Sequence, residues 1–366
     1  MRIAVIGAGI LGASTAYHLA VAGAEVLLVD SSAQGRATAA GAGIICPWAS
    51  LSDDAEWHGL ASAGARYYPD LISQLAEAGE TDVRYRKTGT LSAPGDERFD
   101  LVERRLRVRA TRAREAGVIS RLDPQEARAL FPPLADDRAA LHIEGGARVD
   151  GAALAAALSR AAVVHRARAL TGSAVLKHRR NRVTGIAIGR QMFDADSVII
   201  TAGVWANSLL APLGLSMAVE PQRGQIIHLR LPGASTANWP SLLPMNEYYL
   251  LAFDDSRVVV GATREAGAGM DYRVTAGGQA EVLNAGLAVA PGLASATLLE
   301  TRVGFRPVSA SGKPQLGRVR GCEGLLVGNG MGRSGLTIGP LAGKLLAQLA
   351  LGQAPDIDLL PYAPGI

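Results

Sequence analysis

The chain has 366 residues, is 48% hydrophobic and 19% charged, and carries a net charge of +4 at pH 7. This length exceeds what one compact core usually serves, so the sequence predicts a globular protein with two lobes. Its arginines are scattered and aromatic residues make up only 5%, which does not favour a nucleic-acid-binding surface. No apolar run approaches the ~20 residues of a membrane span, and the first strand leaves no room for a signal peptide. We therefore expect a cytoplasmic protein.

Two cysteines, Cys46 and Cys322, show no metal-binding or redox spacing. They are interpreted as free thiols in a reducing compartment. No metal site is expected.

The first thirty residues carry the clearest motif. A short apolar run, 3–6, predicts a buried strand that turns through Gly7, Gly9 and Gly12 into a helix. Gly7 permits the tight turn, Gly9 lets the backbone approach a pyrophosphate, and Gly12 lets helix and strand pack closely. A second buried strand ends at Asp30, eighteen residues after Gly12, near the spacing at which a carboxylate binds ribose hydroxyls. The pattern predicts a dinucleotide site.

The following segment, 35–43, is rich in glycine and alanine. Small residues at this density let the backbone lie against a flat ring or a phosphate. A flexible linker is the alternative, but a linker is usually more polar.

The middle of the chain alternates helices and strands. Helices are predicted for 54–79 and 96–116. Two further helices are predicted to begin at Asp123-Pro124 and at Asp150, where each aspartate serves as the N-cap. Strands are predicted for 83–91, for several short pieces within 163–188, and for 196–203.

From 219 to 305 the pattern becomes mainly β. It predicts a strand over 224–231, a hairpin of 248–253 and 257–261, a helix over 275–290, and a strand over 300–306 that Pro307 breaks.

The last segment returns to a nucleotide-binding pattern. A buried strand over 324–328 precedes a glycine-rich loop, 329–335, and a helix over 341–351 with Gly339-Pro340 at its entry. The loop places backbone N–H groups at a helix N-terminus. We therefore expect a discontinuous nucleotide-binding domain of 1–82, 145–218 and 306–366. A substrate-binding domain of 83–144 and 219–305 is inserted between these pieces.

Taken together, these segments resemble the D-amino-acid oxidase superfamily of flavoenzymes, and most closely its glycine oxidase branch. The matching stretches, in chain order, are 7–12 with Asp30, 41–43, 201–205, 223–225, 249 through 260–263, 304–307, 330–335 and Pro340. The resemblance implies an α/β fold with a Rossmann-like FAD-binding domain and a mostly antiparallel β-sheet substrate domain with helices.

The resemblance also implies roles for individual residues. Arg306 matches the arginine that pairs with the substrate carboxylate, Tyr249 a tyrosine that reaches the same carboxylate, and Arg333 a second active-site arginine. A guanidinium fork suits bidentate carboxylate binding. The residues expected to contact the cofactor are Gly7, Gly9, Ile10, Leu11, Gly12, Asp30, Ser31, Thr38, Ala39, Ala40, Gly41, Gly43, Ile44, Thr201, Ala202, Gly203, Trp205, Gly330, Met331, Gly332, Arg333, Ser334, Gly335, Leu336 and Thr337.

The chain departs from the family pattern at two places. Met331 stands where glycine oxidases usually have histidine, and Ala252-Phe253 replaces a Pro-Arg pair. Both changes predict less polar surroundings and a substrate larger than glycine, such as a glycine with an apolar group on nitrogen. No cysteine matches the position of covalent flavin attachment in sarcosine oxidases, so non-covalent FAD is expected.

The expected reaction is FAD-dependent oxidation of an α-amino acid, glycine or an N-substituted glycine. Hydride would pass from Cα to flavin N5, water would hydrolyse the imine to a 2-oxo acid such as glyoxylate and an amine, and O2 would reoxidise the flavin to give H2O2. One alternative is a D-amino-acid or D-imino-acid dehydrogenase that passes electrons to a quinone or a partner protein. The other is an NAD-binding dehydrogenase or a non-catalytic nucleotide-binding module, and a homo-oligomer is compatible with each.

Overall fold

The computed structural model describes all 366 residues. In chain order its helices and strands are β1 (Arg2–Ile6), α1 (Ile10–Val21), β2 (Glu25–Asp30), α2 (Ala37–Ala40), β3 (Ile44–Ile45), α3 (Ala55–Glu77), β4 (Thr90–Ser92), α4 (Asp96–Arg112), β5 (Ile119–Leu122), α5 (Pro124–Leu130), β6 (Ala140–Ile143), β7 (Ala147–Arg148), α6 (Gly151–Val164), β8 (Arg168–Thr171), β9 (Ala174–Arg179), β10 (Arg182–Ile188), β11 (Gln191–Asp194), β12 (Ser197–Ile200), α7 (Ala206–Leu210), β13 (Val219–Arg230), β14 (Ser241–Leu243), β15 (Tyr249–Ala252), β16 (Arg257–Gly261), α8 (Ala276–Val289), β17 (Thr297–Ser309), β18 (Gln315–Arg318), β19 (Leu325–Asn329) and α9 (Gly335–Ala350).

A six-stranded sheet forms the first layer, in the order β18-β19-β12-β1-β2-β8. All neighbours are parallel except β18 and β19. Strand β1 lies between β2, which follows it in the chain, and β12, which is far from it in sequence, so the sheet has its topological switch point there. Ligands of such sheets bind at the carboxyl ends of the strands, where the predicted glycine-rich turn begins.

Helices α1, α3, α6 and α9 pack beside this sheet and share its largest hydrophobic core. Gly343 in α9 permits a close approach to α1, because an added Cβ would lie 2.6 Å from the Cβ of Ser14. The Ser14 hydroxyl also donates to the Pro340 carbonyl at 2.6 Å. The first and last helices of the chain are therefore joined by packing and by a buried hydrogen bond.

An eight-stranded sheet forms the second layer, in the order β17-β13-β16-β15-β14-β4-β6-β5. Only its β14–β4 pair is parallel, in agreement with the predicted mostly antiparallel substrate-binding sheet. Two small sheets, β9–β11 and β3 with β7, complete the fold.

All strands of the six-stranded sheet lie within 1–82, 145–218 and 306–366, and those of the eight-stranded sheet lie within 83–144 and 219–305 apart from the end of β17. The boundary between 305 and 306 falls inside β17. The division into two domains stays a prediction.

Pro307 does not end its strand as expected, because β17 continues to Ser309. The strand lies at the edge of the sheet, where a missing N–H is tolerated. The predicted strand over 83–91 is also mostly wrong. In this region the structure has only the short strand β4 and one isolated bridge between Arg86 and Arg148.

Pro340 does not mark the entry of the last helix, since α9 begins at Gly335 and contains the proline. A proline inside a helix leaves the carbonyl four residues earlier without its usual N–H partner. Here that carbonyl belongs to Leu336, and the buried Tyr68 hydroxyl donates to it at 2.5 Å. A tertiary hydrogen bond thus replaces the one that the proline removes.

Both predicted N-caps are confirmed. Asp123 forms a capping box with Glu126 at the start of α5, and the Asp150 side chain accepts from two backbone amides at the start of α6. None of the helices is both long and apolar enough to cross a membrane.

Candidate active site

One large cavity of about 560 Å³ runs from the carboxyl ends of β1 and β2 to the face of the eight-stranded sheet. Its size is in the range of small-molecule and cofactor sites. The β1–α1 turn, the small-residue segment after β2, the segment after β12 and the loop before α9 all line it. These four segments are distant in sequence, and the six-stranded sheet brings their ends together.

Two glycines of the β1–α1 motif, Gly7 in the turn and Gly12 in α1, are required by close backbone packing. A Cβ on Gly7, which has a φ of +105°, would lie 2.6 Å from the Thr201 carbonyl oxygen. A Cβ on Gly12 would lie 1.8 Å from the Gly7 oxygen. The Thr201 hydroxyl further ties β12 to the turn by donating to the Ile6 and Gly7 carbonyls.

The remaining glycine of the motif, Gly9, lies at the N-terminus of α1 and faces the cavity. Its amide has no protein acceptor, whereas the next amide, of Ile10, donates to the Thr38 hydroxyl at 3.0 Å. A free N–H at the positive end of a helix suits a phosphate. This end of the cavity therefore fits the pyrophosphate of FAD.

Asp30 ends β2 and organises the same region. Its carboxylate accepts from the amides of Ala8 at 2.6 Å and Ser32 at 2.7 Å. Arg36 donates to it at 3.2 Å. Asp30 also lines the cavity, and its contact with a ribose stays a prediction.

Most of the predicted cofactor residues line this one cavity. The exceptions are Gly12, Ala39 and Gly330. Gly12 acts in packing, the Ala39 carbonyl accepts from Arg302, and a Cβ on Gly330 would lie 2.9 Å from Ser309.

The sequence interpretation did not identify several residues that line the cavity. Arg36 could have been found from its position six residues after Asp30, whereas Gly172, Ser173 and Ala174 come from a strand connection without a recognisable pattern. The further residues that line the cavity and were not predicted include Ala33, Trp57, Ser208, Ile226, Leu243, Met245, Asn246, Glu247, Arg264, Phe305 and Asn329.

Arg306 and Tyr249 meet at the far end of the cavity, on the eight-stranded sheet. Arg306 on β17 donates to the Thr263 carbonyl at 3.0 Å. The Tyr249 ring on β15 lies against Gly261, where an added Cβ would come within 2.5 Å of the hydroxyl oxygen. Burial raises the pKa of Tyr249, while the neighbouring Arg306 acts in the opposite direction. The hydroxyl is therefore neutral and can donate to an anion.

Two further arginines line this end of the cavity. Arg264 follows β16 and pairs with Glu247, donating also to the Glu247 backbone carbonyl at 2.7 Å. Burial lowers the pKa of Arg264, and the positive charges of Arg333 and Arg306 lower it further. The Arg264 guanidinium is thus close enough to those of Arg333 and Arg306 to be repelled by both.

Neither Arg306 nor Arg333 has an acidic partner. Glu247 is the only acidic residue at this end of the cavity, since the other lining acid, Asp30, lies beside the β1–α1 turn. Excess positive charge at one end of a cavity favours an anionic ligand. No histidine lines the cavity, and no group of three or more histidine, cysteine or acidic side chains that could hold a metal ion occurs in the fold.

The two departures from the family pattern have different locations. Met331 is buried and lines the cavity. Phe253 does not line it and instead packs beneath the guanidinium groups of Arg257 and Arg148, and Ala252 belongs to the core of the eight-stranded sheet. Neither side chain therefore contributes directly to the cavity lining, although Phe253 belongs to an apolar cluster against which the lining residues Ala40, Ile44 and Tyr249 pack.

A family model described as DAO, FAD dependent oxidoreductase, matches residues 2–349. The chain belongs to this family. It is an FAD-dependent oxidoreductase, as the glycine-rich turn and the free Gly9 amide indicated.

Three known proteins resemble the chain over nearly its whole length. The crystal structure of iminodiacetate oxidase (IdaA) from Chelativorans sp. BNC1 superimposes with a TM-score of 0.97 at 53% identity and covers 99% of both chains. The uncharacterized oxidoreductase YurR of Bacillus subtilis (strain 168) is 48% identical over 98% of this chain and 97% of that protein. The glycine oxidase of Pseudomonas putida (strain KT2440) is 30% identical over 99% of this chain and 98% of that protein. These similarities confirm the predicted fold and the resemblance to glycine oxidases.

Proposed function

We propose that the protein oxidises N-substituted glycines that carry a second carboxylate on the nitrogen substituent, the class to which iminodiacetate belongs. The observation that carries the proposal is the convergence of Arg264, Arg306 and Arg333 on one end of the cavity with a single acidic side chain. A substrate with one carboxylate would leave more of this positive charge uncompensated than a substrate with two. The similarity to an iminodiacetate oxidase at 53% identity supports the same class.

Arg306 and Tyr249 would bind the carboxylate of the carboxymethyl group that is oxidised. Their side chains are close enough to interact, and this placement suits a guanidinium fork and a hydroxyl acting on the same carboxylate. This pair fixes the orientation of the reacting carbon, and orientation accounts for a large part of the rate in such reactions.

Arg264 and Arg333 would bind the second carboxylate. Arg333 is the more exposed of the two and has no protein acceptor, whereas Arg264 is held by Glu247. The charged group thus replaces the apolar nitrogen substituent expected from sequence.

When bound, FAD supplies the oxidation by accepting hydride from the substrate Cα. The nearby guanidinium groups favour the neutral form of the substrate amine, since positive charge disfavours an ammonium. No side chain at this end of the cavity is then needed as a general base. Loss of a hydride and a proton gives an imine, and addition of water releases glyoxylate and the second amine, which is glycine when the substrate is iminodiacetate.

The test is a substrate comparison with the FAD-loaded protein, using iminodiacetate, N-methylglycine, glycine and D-alanine. We expect kcat/KM to be highest for iminodiacetate by at least about tenfold, one charge-assisted contact being worth ~1.5–3 kcal/mol. Replacing Arg264 by alanine is expected to remove this preference and to leave N-methylglycine turnover within about threefold of wild type. Equal turnover of iminodiacetate and N-methylglycine by the wild type contradicts the second-carboxylate site.

The electron acceptor is tested in the same assay. Peroxide formation without added dye identifies an oxidase. Turnover only with a dye acceptor identifies the dehydrogenase alternative.

A further inference from the structure

Glu247 occupies an unusual position, because it is an acid that lines the anion-binding end of the cavity. It lies on the connection between β14 and β15, two residues before Tyr249. Its carboxylate pairs with Arg264 while its own side chain is 66% exposed. It therefore adds negative charge at the place where a second substrate carboxylate would bind.

The charges of this end of the cavity can be counted. Arg264, Arg306 and Arg333 contribute three positive charges and Glu247 contributes one negative charge, which leaves two positive charges. A substrate with two carboxylates and a neutral amine carries two negative charges. With Glu247 in place, the charge of the site matches a dianion.

The contacts of Glu247 allow its negative charge to be removed while its hydrogen bonds to Arg264 are kept. Arg264 donates one N–H to the carboxylate and another to the backbone carbonyl of the same residue. The backbone contact does not involve the side chain at residue 247, and a glutamine amide oxygen can still accept from the guanidinium. The substitution Glu247→Gln thus removes the charge and keeps Arg264 in place.

We infer that Glu247 is a specificity-determining residue, whose carboxylate competes with the second substrate carboxylate for Arg264 and sets the charge that the site accepts. This inference rests on the proposed function, since it assigns the distal carboxylate to Arg264. If this is so, the site binds a dianion with lower affinity than it would if Glu247 did not offset one of the three arginine charges. Removing the negative charge strengthens the binding of a second carboxylate more than that of a first one.

The experiment measures binding of two unreactive ethers to the FAD-loaded protein, by flavin absorbance and by calorimetry. Diglycolate has the shape of iminodiacetate with oxygen in place of nitrogen, and methoxyacetate lacks its second carboxylate. For Glu247→Gln we expect the Kd of diglycolate to fall roughly two- to fivefold, the range of an exposed ion pair. The Kd of methoxyacetate is expected to stay within about 1.5-fold, and the difference should shrink at high salt.

Two matched variants control for other causes. Glu247→Asp keeps the charge and is expected to behave as wild type. Glu281→Gln removes a charge from an exposed glutamate that accepts from the Tyr248 hydroxyl at 2.9 Å but does not pair with Arg264, and it is expected to leave both Kd values unchanged.

The outcomes distinguish this inference from the proposed function. If wild-type protein binds diglycolate no better than methoxyacetate, the proposed second-carboxylate site is wrong, and the role of Glu247 fails with it. Suppose instead that the wild type prefers diglycolate. If Glu247→Gln then leaves the ratio of the two Kd values unchanged, weakens the binding of diglycolate, or strengthens the binding of both ligands equally, the proposed function stands and the role of Glu247 is wrong.

Discussion

The guanidinium of Arg306 lies directly over the backbone of Gly224 on the neighbouring strand β13. A Cβ at residue 224 would lie 2.6 Å from Nη1 and 2.7 Å from Nη2 of Arg306. Gly224 thus provides the space in which the predicted carboxylate-binding fork rests. Glycine is required at residue 224 for steric reasons alone, since the backbone there is extended and does not need a positive φ.

Gly224→Ala should therefore impair substrate binding without unfolding the protein. The added methyl group displaces the far end of a flexible side chain, and we expect the KM for iminodiacetate to rise about tenfold or more. Gly59→Ala is the matched control, because that helical glycine has no neighbouring atom within 4 Å of an added Cβ. Equal KM values for the two variants would show that the position of Arg306 does not matter.

Arg306→Ala should remove a charge-assisted contact with the reacting carboxylate. We expect a loss of about 2–4 kcal/mol of transition-state binding, or roughly 30- to 1000-fold in kcat/KM. Arg306→Lys keeps the charge but not the planar fork, so recovery should be partial. Flavin absorbance of each variant verifies loading, and unchanged turnover in the alanine variant would place the carboxylate elsewhere.

Tyr68→Phe should destabilise the fold. It leaves the buried Leu336 carbonyl without a donor, because Pro340 cannot provide one, and this is expected to cost about 1–3 kcal/mol in the free energy of unfolding. The measurement is urea denaturation. Tyr85→Phe is the control, since Tyr85 stacks on Tyr68 at 5.2 Å between ring centroids but its hydroxyl has no protein partner. If Tyr85→Phe lowered the free energy of unfolding as much as Tyr68→Phe does, the loss could not be due to the unpaired Leu336 carbonyl.

Stability should fall as the pH drops from 6.5 towards 3, in part because of His18. Burial, with a smaller contribution from Lys344, lowers the pKa of His18 from 6.5 to about 3. In this window the unfolded chain binds a proton that the folded chain excludes, so folding is favoured above pH 6.5 and loses free energy below it. His18→Gln should flatten this dependence in urea unfolding at pH 7, 6, 5 and 4. If the free energy of unfolding of His18→Gln depended on pH as steeply as that of the wild type, other titrating groups would be responsible.

The sequence by itself determined the strand, turn and helix at the start of the chain. Gly7, Gly9 and Gly12 are close in the chain, and their spacing encodes a strand, a turn and a helix that form locally. The caps at Asp123 and Asp150 are equally local, because a side chain there accepts from amides two or three residues away.

Only the tertiary structure decided how the substrate end of the cavity is built. Arg264 and Glu247 lie in separate loops of the eight-stranded sheet, and nothing near either residue in sequence indicates that they pair or that Arg333 and Arg306 lie close by. Long-range packing places Phe253 against Arg257 and outside the cavity lining, and the edge position of β17 lets that strand continue through Pro307. These features depend on strand register and long-range packing, which bring together residues that no short spacing relates.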